Sequence, residues 1–251
     1  FTASDGQAED SETITITINP APVPTGRIAY VDGGIWIMDA TGGNRVQLTD
    51  EGRDPEISPD GSRIVYVSEK DGNYEIYVMG CDGSYPVRLT NNPVHDTSPS
   101  WSPDGTQIVF LSSRDAGGMF IMDADGGNPH KILSIEAHQP DWSPDGSKIA
   151  FLSPYALFTV SPDGSNLTEI TKNVKLGDIC WSADGRYIAH VVLSAGAVLG
   201  LTPVGSPGPE EQWHPSLIGF GIGCLTMSPY GYWVAVNNCL LYTSDAADEE
   251  D

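Results

Sequence analysis

Residues Trp101–Gly105 read WSPDG, and the same phrase returns at Trp142–Gly146. A close variant, ISPDG, ends at Gly61, and weaker copies, WSADG and MSPYG, end at Gly185 and Gly231. The serines of the copies are Ser58, Ser102, Ser143, Ser182 and Ser228, spaced 44, 41, 39 and 46 residues apart. A phrase that returns at so regular an interval marks a repeat architecture, in which each period is one supersecondary unit.

The signals around each copy also repeat. After the glycine comes a β-branched and aromatic run: RIVYVS, QIVFLS, KIAFLS, YIAHVV and WVAV, with an unpreceded copy RIAYV from Arg27. A second run follows and ends in a glycine column, Gly42, Gly83, Gly126, Gly164 and Gly205. A short third run, VQLT, VRLT, KILS or EIT, precedes a polar loop into the next copy.

Local physics makes the phrase a reversal. Pro59, Pro103 and Pro144 preset φ for a first corner, and Asp60, Asp104, Asp145 and Asp184 hydrogen-bond nearby backbone. Gly61, Gly105, Gly146 and Gly185 accept positive φ. Each unit therefore reads as four short strands in a meander, the content of one propeller blade. The strand after the phrase is apolar at consecutive positions, as expected of a strand covered on both faces. Trp101, Trp142 and Trp181 precede it, where a large ring fills the gap between blades. The fold class expected is all-β: a β-propeller of four-stranded antiparallel blades, about five and a partial one, truncated from a ring of six or more. The punctuation excludes helical solenoids, while a β-sandwich leaves the fixed period unexplained.

The order LT…P-x-WSPDG-x-x-I-x-F-x-S…I-Y-x-M-D-x-D-G resembles the TolB-like β-propeller repeat, a WD-like repeat of bacterial envelope proteins. The resemblance runs from Gly26 to about Asn238, with the last two copies degraded. His190 departs from it, standing in the slot held by Tyr30, Tyr66, Phe110 and Phe151. A buried ring replacing an aromatic is the expectation there.

The ends differ in character. Residues 1–19 contain the strictly alternating TITITI and resemble the last strands of bacterial immunoglobulin-like or cadherin-like repeats. Residues 20–26 form a stiff proline linker. The propeller is expected over 27–238. From Cys239 to Glu249 the chain also reads as the translation of a common sequencing-library adapter, so 239–251 is expected to be an artefact; the alternative is a genuine blade strand.

Acidic side chains outnumber basic ones by 34 to 12, a formal charge of −22. That field opposes phosphate backbones and anionic lipid, so neither nucleic acid nor a membrane surface is an expected partner. The stretch from Ile188 to Gly205 is interrupted by His190, Ser194 and Pro203 and does not read as a membrane span. The four cysteines, Cys81, Cys180, Cys224 and Cys239, have no C-x-x-C spacing. Cys180 and Cys224 are compatible with a disulfide or with two buried thiols.

Chemistry-bearing motifs are scarce. There is no G-x-S-x-G elbow, H-E-x-x-H, P-loop or dinucleotide fingerprint. Asp123, Asp125 and Asn128 carry oxygen ligands, but the turn column explains them and calcium-loop spacing is absent. Asn166-Leu167-Thr168 fits a glycosylation acceptor. No catalytic residue, metal or cofactor is expected. The candidate ligand-binding residues lie in loops leading into the phrase strands, which a propeller gathers on one face: Asp54, His95, Asp96, Glu136, His138, Asp178 and His214.

These features lead to a non-catalytic binding module of a larger secreted, periplasmic or cell-surface protein of a bacterium or archaeon, taking a protein or carbohydrate ligand. Within the family resemblance, the alternatives are the gating propeller of a prolyl-oligopeptidase-type serine peptidase, whose hydrolase domain lies elsewhere, and a propeller lyase. A purely structural spacer is the third possibility.

Overall fold

A computed structural model describes residues 26–174, 177, 179–193 and 197–205, with the strands at 225–227, 233–236 and 239–242. The segments 1–25 and 243–251 and the side chains of Cys224 and Cys239 lie outside the described residues.

The strands come in chain order and build six antiparallel sheets. The first holds β1 (Arg27–Val31), β2 (Ile35–Asp39) and β3 (Val46–Gln47). Three complete blades follow. The first of these has β4 (Arg53–Ile57), β5 (Arg63–Ser68), β6 (Glu75–Gly80) and β7 (Val87–Arg88). Next come β8 (Asp96–Trp101), β9 (Gln107–Ser112), β10 (Gly118–Asp123) and β11 (His130–Leu133), then β12 (His138–Trp142), β13 (Ile149–Ser153), β14 (Ala156–Val160) and β15 (Thr168–Lys172). The fifth sheet contains β16 (Cys180–Trp181), β17 (Tyr187–Leu193) and β18 (Ala197–Pro203). The sixth contains β19 (Leu225–Met227), β20 (Trp233–Val236) and β21 (Cys239–Tyr242), whose backbones pair in succession. The sheets are called blades 1 to 6 below. Each is a meander, so sequence order is spatial order, and the propeller expected from the repeat is the fold observed.

The WSPDG phrase is the hairpin between a blade's first and second strands. In blade 3, Gly105 N–H donates to Ser102 O at 2.8 Å and closes the turn. The serine, whose role the sequence leaves open, is 3% exposed. Its hydroxyl donates to Asp104 Oδ1 (2.6 Å) and accepts the Gln107 N–H (2.9 Å). Asp104 Oδ1 also accepts the Thr106 N–H at 3.0 Å. The same ring of bonds recurs around Ser58, Ser143 and Ser182.

From blade 1 to blade 5 the blades pack face to face, and one apolar cluster fills each interface. Val65, Val67, Ile76 and Val78 of blade 2 meet Trp101, Ile108, Phe110, Phe120 and Met122 of blade 3. Trp142 stands in the next interface and Trp181 in the one after. The second strands are covered on both faces, which explains their unalternating apolar runs: every residue of β13 is buried. Inside each of blades 2 to 4 an aromatic pair spans the second and third strands: Tyr66–Tyr77, Phe110–Phe120 and Phe151–Phe158, with ring centroids 5.6–5.7 Å apart. In blade 5 that position holds His190 opposite Gly200. The histidine is 3% exposed, and its Nε2 lies 2.7 Å from Thr202 Oγ1. It is a buried substitute for the aromatic, as the repeat indicates.

Candidate functional site

The first strands β4, β8, β12, β16 and β19 contact one another in succession and line the centre of the arc. In blades 2 to 4 each carries a β-bulge near its start: the register slips between Arg53 and Glu56, Thr97 and Ser100, and His138 and Asp141. The bulge places Asp54, Ser98 and Gln139 in the left-handed region, at φ 50°, 50° and 48°. Bulges bend a strand and re-aim its side chains.

Beyond the bulge, the position two residues before the phrase serine forms an axial column: Glu56, Ser100, Asp141 and Cys180. A central strand has no neighbour on its axial side, so its outward N–H groups need other acceptors. The preceding carboxylates supply them. Glu56 accepts the Trp101 N–H of the next blade at 3.3 Å, and Asp141 accepts the Trp181 N–H at 3.1 Å. Trp181 Nε1 also donates to Asp141 O at 3.1 Å.

Both carboxyls keep some accessible area yet are surrounded by protein atoms. Burial pushes Asp141 up to about 7, against the opposing pull of the Trp181 N–H, Ser100 and the Trp142 N–H. Burial, reinforced by the charge of Asp141, also lifts Glu56 well above the carboxylate range. Ser100, 3% exposed, faces both without closing a hydrogen bond of standard geometry. Sequence reasoning missed this column because each copy uses a different residue type; only the fixed offset from the serine could have found it.

The loop entering blade 3 is pinned from beneath. Glu75 is fully buried and accepts from Arg88 Nη2 (2.9 Å), Asn73 Nδ2 (2.9 Å) and the Asn92 N–H (3.0 Å). Burial alone would raise its carboxyl; the Asn92 N–H, Thr90, Asn73 and Arg88 outweigh that and hold it below its ordinary value. Asn73 Nδ2 also donates to Val94 O at 2.6 Å, and Asn92 Oδ1 accepts the Val94 N–H at 3.0 Å.

On this base stand Arg53, Tyr74 and His95. The Arg53 guanidinium lies 3.7 Å over the Tyr74 ring. The His95 ring is 5.0 Å from the same tyrosine, and its Nδ1 accepts the Tyr74 N–H at 3.2 Å. Arg53 and Tyr74 carry no sequence motif, and composition gives no cue to them.

The candidate loop residues take different places. His95 is exposed beside Tyr74. Asp54, adjacent to Arg53, is raised by burial, while Arg53 and the Ser98 N–H of the next blade draw it down. Asp96 is fully buried, bonded to Arg114 and to Asn92 Nδ2. Glu136 and His138 lie within 3.5 Å of each other, both accessible. Asp178 and His214 lie outside the described residues. Asp123 and Asp125 bond Asn128 Nδ2 and the Gly127 N–H as turn residues. Among the described residues no three His, Cys, Asp or Glu side chains gather closely enough to hold a metal ion, and no helix is long and apolar enough to cross a membrane.

Comparison with known proteins places this geometry. No curated protein matches the chain in sequence. Among solved structures it is similar to TolB from Acinetobacter baumannii, with TM-score 0.71 and 21% identity over 83% of this chain and 57% of that one. A putative TolB from Agrobacterium tumefaciens gives TM-score 0.61 and 24% identity over 68% and 70% of the two chains. An oligogalacturonate lyase from Vibrio parahaemolyticus gives 0.58 and 16% over 84% and 68%. The chain thus spans little more than half the length of the Acinetobacter TolB. At these identities the structures speak to the fold alone. The sequence profile of the TolB beta propeller domain matches residues 5–188, and the chain belongs to that family.

Proposed function

We propose that this chain is a non-catalytic binding module of a larger periplasmic, secreted or cell-surface protein, contacting a protein or carbohydrate on its loop face. One observation carries this: the loop entering blade 3 is fixed by the buried Glu75 and Asp96 networks, yet presents the exposed His95 to solvent, with the exposed Arg53 of blade 2 on the same tyrosine. Ordering a surface before the ligand arrives lowers the entropy lost on binding. A spacer with no ligand has no use for such ordering.

The test is site-specific photocrosslinking in the full-length protein within its host. A photoreactive residue replaces His95 in one variant and Asp163, on the outer turn, in another. The expected result is a discrete adduct from the loop position alone. Equal or absent adducts at both positions would defeat the proposal. The fold similarity to an oligogalacturonate lyase motivates a second arm. Formation of unsaturated product from oligogalacturonate would replace the module with an enzyme.

A further inference from the structure

The geometry points to a carboxylate-receiving clamp, formed by the Arg53 guanidinium and the Nε2–H of His95, that takes a carboxylate of a protein partner. It rests on the binding-module proposal and names the chemistry of its ligand.

The histidine tautomer follows from one bond. His95 Nδ1 accepts the Tyr74 N–H, so in the neutral ring the proton sits on Nε2. Nε2–H is then a donor on an exposed ring. Arg53 supplies the charge. It is exposed, and among the described residues it forms no ion pair. The other arginines are engaged: Arg88, Arg114 and Arg186 pair with acids, Arg27 and Arg45 bond backbone carbonyls, and Arg63 stacks on Trp101. The adjacent Asp54 feels the Arg53 charge and also accepts from the Ser98 N–H, but makes no ion pair with the guanidinium.

Tyr74 holds the pair together. Its ring lies 3.7 Å from the guanidinium carbon, in cation–π contact, and touches the imidazole. Tyr74 is itself held, since its carbonyl accepts the Asp96 N–H at 2.8 Å. A guanidinium presents paired N–H donors, the geometry that matches a planar carboxylate. An acidic sugar fits less well. Sugar rings dock on open aromatic faces, and here Arg53 covers a face of Tyr74.

The experiment is an NMR titration of the isotope-labelled full chain at low salt, following the His95 ring and Arg53 Nε signals. The probes are Ac-Gly-Glu-Gly-NH2, its glutamine counterpart, Ac-Gly-Gly-Gly with a free carboxylate, and D-glucuronate. Saturable shifts of both signals with a carboxylate peptide, but not with the glutamine peptide, are expected. Comparing the glutamyl and free-terminus peptides tells whether a side chain or a chain end is received. Arg53→Gln should weaken binding at least about fivefold, and Arg53→Lys, which keeps charge but not the fork, should recover part of it. Dispersed spectra of both variants establish that they fold. Equal binding of the glutamine peptide, or unaltered binding by Arg53→Gln, overturns the clamp. A tighter response to glucuronate than to either peptide overturns the protein partner. Saturable shifts elsewhere on the loop face that survive Arg53→Gln overturn the clamp while leaving the binding module standing.

Discussion

Glu56 of blade 2 holds the backbone of Trp101 in blade 3, both carboxylate oxygens lying 3.3 Å from its N–H. Asp141 repeats the arrangement toward Trp181. The axial carboxylates thus act as the missing neighbours of the innermost strands, which gives part of the acidic composition a structural use. They also interact: each is desolvated, and the charge of Asp141 raises Glu56 further.

This coupling gives a pH dependence of definite sign. A carboxyl raised by folding makes the native state prefer the protonated form. The stabilisation is complete below the unfolded carboxylate value of about 4. It is lost as the pH rises through about 7, the folded value of Asp141. The turn aspartates do not obscure this window, because Asp60 and Asp184 are lowered to about 2. Asp141→Asn keeps an acceptor for the Trp181 N–H and removes the charge. It should stabilise the protein at about pH 8 by on the order of 1–2 kcal/mol or more and have little effect at about pH 4. Urea denaturation at the two pH values measures the difference, and an equal effect at both would refute the coupling.

The phrase serines should be as important as its glycines. Ser102→Ala leaves the Gln107 N–H without its acceptor and removes a donor from Asp104. Loss of such a buried polar partner costs about 1–3 kcal/mol. Ser62→Ala makes a useful control, since that hydroxyl bonds Asp60 in an exposed part of the equivalent turn of blade 2. A fall in the urea midpoint for Ser102→Ala no larger than for Ser62→Ala would mean that the turn needs only its proline, aspartate and glycine.

The repeat and its hairpins are legible because a tight turn tolerates few residue types. Pro103, Asp104 and Gly105 each meet a specific backbone demand, so the copies ending at Gly61, Gly105 and Gly146 share all three, and the glycine persists at Gly185 and Gly231. Axial positions face no such demand. Any acceptor of suitable reach can cap the next strand, and Glu56, Ser100, Asp141 and Cys180 accordingly share no chemistry that a repeat search detects. The loop site was half legible. His95 drew notice as a titratable loop residue, but Arg53 and Tyr74 come from other parts of blade 2 and meet it only through the fold. Asp96, singled out by the same rule, serves instead to anchor Arg114.

The outer glycine column separates two reasons for glycine. Gly42 and Gly164 share nearly the same conformation, φ 82° and 80°. A Cβ on Gly42 would meet nothing within 4 Å, whereas on Gly164 it would collide with the Ile132 carbonyl of the preceding blade. Gly42→Ala should therefore cost only the left-handed backbone term, about 1–2 kcal/mol. Gly164→Ala should cost roughly 1–3 kcal/mol more, because the blade interface must open. Thermal unfolding of the two variants checks this. Equal losses would show that blade packing does not constrain the column.

His190 and Thr202 offer the last prediction. The imidazole occupies an aromatic slot, and burial of its polar ring is offset by the 2.7 Å contact between Nε2 and Thr202 Oγ1. Thr202→Val keeps the shape and removes that partner, so it should destabilise by about 1–3 kcal/mol. In a His190→Phe background the ring has no nitrogen to satisfy, and Phe is what blades 3 and 4 carry at the same position. The valine substitution should then be nearly neutral, giving a coupling of about 1–2 kcal/mol in a double-mutant cycle. Additive effects would mean that the histidine is satisfied elsewhere and that Thr202 is there for packing alone.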